Sequence, residues 1–378
     1  MKKRPCKSLY AVLILIVSVL ISCGGNSEKP EPKPVVIGYV GGFHGLLNTD
    51  HIEVNSLTHI NYAFVNIVDG QAFLTNEKTD STNFRNLARL KAINPELKIL
   101  ISIGGWAWSE NFSDAVLSDS SRIVFAKSSV DIIRKYDLDG VDIDWEYPGM
   151  EGEEGNVFRP EDKENYTLMF KALRKELDVL EKETAHKKLL TTAVAGFEEY
   201  LEHTNMKEAA QYLDYINLMT YDLFENGISV NHAGLYESKD YVSNKNANYC
   251  VEVFQKAGVP VEKLVLGLPF YGRSFTVKPN SEKVIGEPYT AKAYIDGYGF
   301  IKDSLVNQKG YKLFRDENAK VPYIYNAETG KMISFDDEIS IKLKCEYVLK
   351  HQLAGVMFWE YDSDPKGYLL QAIHESFE

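Results

Sequence analysis

The stretch Leu138–Glu146 reads Leu-Asp-Gly-Val-Asp-Ile-Asp-Trp-Glu, so acidic and apolar residues alternate along it. Side chains of a β-strand point alternately to opposite faces. Asp142, Asp144 and Glu146 therefore share one face, and the apolar residues between them, including Trp145, share the other. Such a strand suits a closed barrel, in which the apolar face meets surrounding helices and the acidic face points inside.

Other short apolar runs rich in β-branched residues occur along the chain, with helical patterns between most of them. Together with Leu138–Glu146, these runs are Val35–Val40, Leu57–Ile67, Leu97–Gly104, Lys188–Val194, Tyr215–Tyr221, Leu264–Phe270 and Leu353–Trp359. The helical patterns are Ser81–Ile93, Ser120–Tyr136, Lys163–Thr184, Met206–Leu213, Asn246–Ala257, Glu338–Lys350 and Gly367–Phe377. Repeated alternation of strand and helix predicts an α/β fold of the (β/α)8 TIM-barrel class. A doubly wound open sheet is the alternative, although no helical pattern follows the glycines after the first strand.

The connection between Phe270 and Leu353 is too long for a single helix. A structureless loop of that length, roughly 80 residues, is uncommon in a compact domain. Residues 276–332 carry many Tyr and Phe in short alternating runs. We therefore expect a small α+β insertion between the seventh strand and its following helix, on the C-terminal face of the barrel.

The composition excludes two broad classes of protein. With 44% hydrophobic residues among 378, the chain is too apolar for intrinsic disorder. A formal net charge of −12 argues against nucleic acid as a partner, because phosphate binding needs clustered Lys and Arg. Nothing in the sequence demands more than a monomer.

The N-terminus reads as an export signal. A basic start, Lys2 to Lys7, precedes an apolar run that ends in Leu-Ile-Ser-Cys at Cys23. This pattern resembles a bacterial lipobox and predicts a lipoprotein signal peptide over 1–22, lipidation of Cys23 and a tether over 23–34. An ordinary secretory peptide is the alternative. We expect an exported lipoprotein of the cell envelope, held at the membrane by its lipid anchor only, with the barrel domain over 35–378.

Cysteine and histidine usage points to no metal centre. Their spacing matches no metal-ligand pattern. Cys250 and Cys345 lie on predicted helices, so they are either buried thiols, which we favour, or one disulfide.

The acidic face of Leu138–Glu146 carries the strongest chemical signal. Three neighbouring carboxylates cannot all ionise easily, so the pKa of at least one should rise. Glu146 is nearest the C-terminal mouth, where barrel active sites lie, and is the candidate for a carboxylic acid protonated near neutral pH. A site for a hard cation is the competing interpretation.

Five motifs together resemble glycoside hydrolase family 18, the chitinases. Asp139–Glu146 matches the family signature DxxDxDxE. Four further segments resemble the family at the third, sixth, seventh and eighth strand ends: Ser102–Trp106, Asn217–Asp222, Gly267–Phe275 and Gly355–Asp362. The resemblance runs from about Val35 to Phe377.

The resemblance implies a retaining mechanism in which the substrate's own acetamido group is the nucleophile. It makes Glu146 the acid that protonates the glycosidic oxygen. Asp144 would hold the acetamido N–H, and Asp142 would share a proton with Asp144. Tyr221 would donate to the acetamido oxygen. The resemblance further implies substrate contacts by Tyr39, Phe64, Gly104, Gly105, Trp106, Tyr147, Met219, Asp222, Tyr271, Arg273 and Trp359.

The implied activity is hydrolysis of β-1,4 linkages in chitin or chitooligosaccharides, with no cofactor and no metal. The insertion resembles the domain that walls the cleft in deep-cleft chitinases, which favours chitin. Cleavage of N-glycan cores or of peptidoglycan fragments, and a non-catalytic chitooligosaccharide lectin, are the alternatives. The lectin is disfavoured because such relatives usually lose the acid, whereas Glu146 is present.

Overall fold

Eight parallel strands close into a barrel. The computed structural model describes residues 33–295 and 297–378, of which Pro34–Glu378 form one unit. The strands are β1 Val35–Gly41, β2 His59–Val68, β3 Gln71–Phe73, β4 Lys98–Gly104, β5 Gly140–Asp144, β6 Leu189–Ala195, β7 Tyr215–Met219, β8 Leu264–Pro269, β9 Gly272–Thr276, β10 Ala291–Ile295, β11 Tyr311–Asp316, β12 Val321–Asn326, β13 Lys331–Ser334 and β14 Gly355–Trp359. In the barrel the order is β1-β14-β8-β7-β6-β5-β4-β2, and β1 pairs with β2 to complete the ring. The predicted TIM barrel is confirmed.

Helices alternate with the barrel strands. They are α1 Glu77–Leu90, α2 Phe112–Ala115, α3 Asp119–Tyr136, α4 Asp162–Thr184, α5 Met206–Ala209, α6 Ala247–Lys256, α7 Tyr298–Ser304, α8 Glu338–His351 and α9 Tyr368–Phe377. Side-chain caps define several helix starts: the Asp337 carboxylate, for example, accepts from the Ser340 backbone N–H at 2.9 Å at the start of α8. The helix predicted over Met206–Leu213 is shorter in the structure, where α5 begins at Met206 and ends at Ala209.

A second sheet lies between β8 and α8, as the insertion prediction requires. It is antiparallel, in the order β10-β9-β13-β12-β11. The first of its strands along the chain, β9, begins at Gly272, before the predicted limit of residue 276. Only Phe270 and Tyr271 separate β9 from β8. The seventh barrel strand therefore continues almost directly into the insertion.

The main core lies between the barrel and its helices. Trp145 is buried there, stacked on Phe112 at 5.0 Å between ring centroids and tilted against Tyr166 of α4. This confirms that the apolar face of the β5 segment meets the helices.

The cysteines of the barrel domain are free thiols. Cys250 and Cys345 are both buried and unpaired with each other, so the disulfide alternative is wrong. Burial raises the pKa of the Cys345 thiol to about 12. None of the helices within 33–295 and 297–378 combines the length and apolar character needed to cross a membrane. The predicted signal peptide, Cys23 and nearly all of the 23–34 tether lie outside the described residues.

Candidate active site

Asp142 lies inside the barrel, where its carboxylate is fully satisfied. Its Oδ2 accepts from the Tyr39 hydroxyl at 2.9 Å and from Ser102 Oγ at 2.7 Å. Its Oδ1 accepts from Thr191 Oγ1 at 2.6 Å and from Asn217 Nδ2 at 3.4 Å. Burial raises the pKa of Asp142, and these four donors oppose that rise.

Asp144, two residues along β5, is buried but incompletely bonded. Among the described residues, its Oδ1 has no hydrogen-bond partner. Burial first, and then the charges of Glu146 and Asp142, raise its pKa well above the usual value. The barrel thus presents a buried acceptor that lacks a donor, next to the open end of the strand.

Glu146 lies at the open end of the same face. Burial raises its pKa to about 7, with a contribution from the Asp222 charge, while a hydrogen bond with Tyr147 opposes the rise. Its backbone N–H donates to Ser109 Oγ at 2.9 Å, and Ser109 Oγ in turn donates to the Gly105 carbonyl at 2.9 Å. The sequence prediction of a carboxylic acid that is protonated near neutral pH therefore has a physical basis in this geometry.

Tyr221 follows β7 and stands beside the carboxylates. Burial raises the pKa of its hydroxyl well above the usual value, and the charges of Asp144 and Glu146 add to the rise. The hydroxyl is therefore a proton donor throughout the neutral range. It donates to Met357 Sδ at 3.8 Å, and Met219 packs in the same small apolar cluster.

Asp222 and Arg273 form an ion pair at the side of the cleft. Arg273 Nε donates to Asp222 Oδ1 at 2.7 Å, and its second nitrogen donates to Oδ2. Burial acts to raise the pKa of Asp222, but the hydrogen bonds from His232 and Arg273 hold it well below the usual range. The Arg273 guanidinium also lies over the Tyr271 ring, 5.2 Å from its centroid. Asp222 is therefore an ionised acceptor beside Glu146.

Aromatic rings form the floor of the site. Trp359, at the end of β14, lies nearly parallel to Phe64 with centroids 5.4 Å apart and to Phe43 with centroids 6.2 Å apart. Tyr39 meets Trp359 at 5.8 Å and 56°. Flat apolar faces of this kind stack against the apolar face of a pyranose ring.

Gly104 and Gly105 contribute to the site through their backbone conformation, which lets the chain pass close to Asp144. Both have positive φ, +107° and +81°. A Cβ on Gly104 would lie 2.2 Å from the Asp144 carbonyl oxygen, and the Gly105 N–H donates to that oxygen at 2.7 Å. Trp106 follows them, half-exposed, with its ring at 71° to the Tyr147 ring and 6.4 Å between centroids.

The predicted residues lie at or near the C-terminal ends of the barrel strands. Several residues around them were not predicted as site residues: Ser102, Thr191 and Asn217 on Asp142, Ser109 on Glu146, Met357 on Tyr221, and His232 on Asp222. The alternation of side chains along the neighbouring strands, combined with the register of those strands, could have identified the donors to Asp142. Among the residues that the structure describes, no cluster of His, Cys, Asp or Glu could hold a metal ion.

Comparison with known proteins places this geometry in a family. The model for "Glycosyl hydrolases family 18" matches residues 35–364. The chain belongs to family 18 of the glycosyl hydrolases. The resemblance carried by the five motifs is thereby confirmed.

Named relatives of this family 18 chain include bacterial enzymes. It is 40% identical over 301 residues to Chitinase A1 of Niallia circulans, which covers 75% of the chain but only 43% of that protein. The solved structure of chitinase ChiA74 from Bacillus thuringiensis superposes with a TM-score of 0.86 at 33% identity, covering 92% of this chain and 70% of that one. A family 18 N-acetylglucosaminidase from Paenibacillus barengoltzii superposes with a TM-score of 0.84 at 35% identity, covering 91% and 99%.

Proposed function

We propose that the chain hydrolyses β-1,4 linkages between N-acetylglucosamine units in chitin or chitooligosaccharides, with retention and with the substrate's acetamido group as nucleophile. The observation that carries the proposal is the buried Oδ1 of Asp144, which has no partner within the described part of the chain, beside a Glu146 whose pKa is raised to about 7. An amide N–H is a donor that such an acceptor can take. The names of the relatives, chitinase and N-acetylglucosaminidase, point to the same sugar.

Glu146 begins the reaction as the acid. Its proton passes to the glycosidic oxygen as the bond from that oxygen to the anomeric carbon breaks. The acetamido carbonyl oxygen attacks the anomeric carbon at the same time and forms an oxazolinium ring. Asp144 accepts the acetamido N–H and balances its positive charge, and the Tyr221 hydroxyl donates to the acetamido oxygen, which fixes the attack geometry.

The Glu146 carboxylate then ends the reaction as the base. It takes a proton from water, the hydroxyl attacks the anomeric carbon from the vacated side, and the ring opens to restore the acetamido group. Two inversions give retention, and the protein supplies no nucleophile. The fully bonded Asp142 suits a different task, which is to share a proton with Asp144 when the reaction changes the charge nearby.

The second candidate substrate is the chitobiose core of N-glycans. The insertion sheet favours chitin, because it resembles the domain that walls the cleft in deep-cleft chitinases, and its strand β9 supplies Arg273. Release of products from chitotetraose and from a high-mannose glycoprotein, measured side by side, distinguishes the two substrates. Faster turnover of the glycoprotein would overturn the chitin proposal.

Glu146→Gln tests whether the chain is an enzyme or a lectin. We expect this variant to lose hydrolysis while its affinity for chitotetraose stays within about tenfold, since Gln keeps the shape but has no transferable proton. Glu154→Gln, at an exposed position in the following loop, is the matched control and should keep full activity. Full hydrolysis by Glu146→Gln would contradict the assignment of the acid.

We propose further that the chain is an exported lipoprotein of a bacterial envelope. The basic start, the apolar run and the position of Cys23 support this proposal. A diacylglyceryl anchor on Cys23, together with the tether, would hold the barrel near the membrane surface.

Cys23→Ser tests the lipid anchor. Expressed at full length in a bacterium fed radiolabelled palmitate, the parent chain should be labelled and sediment with membranes, whereas Cys23→Ser should do neither. Cys6→Ser, which changes a cysteine of the same N-terminal segment, is the control and should behave as the parent. Labelling of Cys23→Ser would contradict the proposal.

A further inference from the structure

His232 is a fully buried histidine that touches the ion pair at the side of the cleft. Its Nδ1 lies 3.3 Å from Asp222 Oδ1, and the Asp222 backbone N–H is directed at the same nitrogen over a longer distance of 3.5 Å. Its backbone N–H donates to Ser334 Oγ of β13 at 3.1 Å, and its carbonyl accepts from the Leu223 N–H at 3.0 Å. The residue therefore joins the end of β7 to the insertion sheet.

Asp222 has an uncommon backbone that something must hold. Its φ of +56° lies in the left-handed region, which is uncommon for non-glycine residues, although Asp adopts it more readily than most. Tyr221 immediately precedes it, so the same corner sets the direction of the tyrosine hydroxyl that is proposed to contact the acetamido group. Arg273 bonds both carboxylate oxygens from one side, and the His232 ring meets Oδ1 from another.

The hydrogen bonds of the ring indicate which nitrogen carries the proton. Nε2 of His232 is buried and has no partner among the described residues. A buried N–H without an acceptor costs more than a bare ring nitrogen, so the proton belongs on Nδ1. There it can be donated to the charged Asp222 carboxylate at 3.3 Å, in preference to the longer contact in which Nδ1 would accept from the Asp222 backbone N–H. The groups facing the ring are Asp222, Arg273, Asp336 and Tyr271. Burial lowers the pKa of His232 more than the two carboxylates raise it, so the ring is neutral near pH 7.

We propose that His232 is a positioning residue: neutral and protonated on Nδ1, it donates to Asp222 and holds the Tyr221–Asp222 corner in its reactive shape. The proposal rests on the hydrolytic function proposed above. It also gives the insertion sheet a second role. Besides lining the cleft, that sheet orients a residue beside the acid, directly through Arg273 and indirectly through Ser334 and His232.

Two amide substitutions separate this role from simple packing. An Asn side chain can place its N–H near the position of Nδ1, whereas a Gln side chain reaches toward the position of Nε2. We expect His232→Asn to keep kcat/KM on chitotetraose within about threefold. His232→Gln should lose about 10- to 100-fold, as expected for a lost hydrogen bond to a charged group. Thermal unfolding of both variants shows whether the chain still folds, and equal losses of activity by the two would overturn the proposal.

A double substitution shows whether His232 acts through Asp222. In an Asp222→Asn background the carboxylate is gone, so adding His232→Gln should cost less than about twofold in kcat/KM. If the two losses multiply instead, His232 does not act through Asp222 and the proposal is wrong. An unsubstituted chain that hydrolyses neither chitotetraose nor the glycoprotein would contradict the proposed function itself, which is a different outcome.

Discussion

At the scale of single residues, three carboxylates on one strand face have three different environments. Asp142 accepts four hydrogen bonds, Asp144 keeps one buried oxygen open, and Glu146 stands at the rim. Donors stabilise the charged form of an acid, whereas burial without donors stabilises the neutral form. The donors are concentrated on Asp142, the innermost of the three, so the neutral form is favoured at the two acids nearer the mouth. In the proposed mechanism, this is where the transferable proton is needed.

The raised pKa of Glu146 predicts the pH dependence of the reaction. In the proposed mechanism the free enzyme needs Glu146 protonated, so kcat/KM should fall above pH 7, approaching tenfold per pH unit once the acid is ionised. Initial rates on a fluorogenic chitobioside between pH 5 and pH 9 measure this limb.

A change of substrate, with the protein unchanged, tests whether the fall in kcat/KM above pH 7 comes from Glu146. A substrate whose leaving group is already acidic, such as a dinitrophenyl glycoside, needs no proton from Glu146. With that substrate, the fall in kcat/KM above pH 7 should become smaller or vanish. A kcat/KM that stays constant to pH 9 on the chitobioside would contradict the assignment.

The acidic face could be predicted from the sequence because alternation along one strand needs no knowledge of its neighbours. The donors around Asp142 could not be read so directly. Ser102 and Thr191 face Asp142 because β4 and β6 both pair with β5, and each of the two residues lies opposite Asp142 in the register. His232 lies in a loop between β7 and α6, where no periodic pattern places a side chain.

At the scale of elements, the end of β4 is packed against the end of β5 without room for a side chain. Gly104 has a positive φ, and an added Cβ would meet the Asp144 carbonyl oxygen at 2.2 Å and the Phe112 ring at 2.6 Å. Gly155, in the loop after β5, also has a positive φ, but nothing lies within 4 Å of its Cβ position. Substitutions at both glycines would carry the cost of the positive φ, but only a substitution at Gly104 would also carry the cost of steric overlap. Comparing the two therefore distinguishes these costs.

We predict that Gly104→Ala lowers the free energy of unfolding by about 1–3 kcal/mol more than Gly155→Ala does. Both variants carry the cost of a left-handed alanine, about 1–2 kcal/mol, but only the first must displace the strand that holds Asp144. Urea unfolding measures the difference. Equal destabilisation by the two substitutions would show that the β4–β5 contact can relax freely.

Elements with strong periodicity were predictable, and elements set by tertiary contact were not. The barrel strands were identified because buried parallel strands read as continuous apolar runs. The start of the insertion was misplaced because β9 follows β8 with no turn signal between them. The α5 helix is shorter than its sequence pattern because residues 210–212 form turns, and Ala210 and Leu213 pack in the main core from outside the helix.

At the scale of the whole molecule, α8, the helix that follows the insertion sheet, makes charge pairs of very different burial. Lys344 of α8 and Asp336, just after β13, bond at 2.5 Å with side chains only 1% and 0% exposed. Ser340 Oγ also donates to Asp336, at 2.7 Å. Two residues away on the same helix, Lys342 pairs with Glu375 at 2.7 Å, with both side chains about half-exposed.

We predict that Lys344→Met destabilises the protein by about 3–5 kcal/mol, because it leaves the Asp336 charge buried without its partner. Lys342→Met should cost about 0–1 kcal/mol, because water replaces its exposed pair. Equilibrium urea unfolding of the two variants at pH 7 gives both values. Adding Asp336→Asn to Lys344→Met removes the unpaired charge, so the double variant should regain part of the loss. If Lys344→Met and Lys342→Met cost the same, or if Asp336→Asn recovers nothing, the buried pair does not secure the insertion to α8.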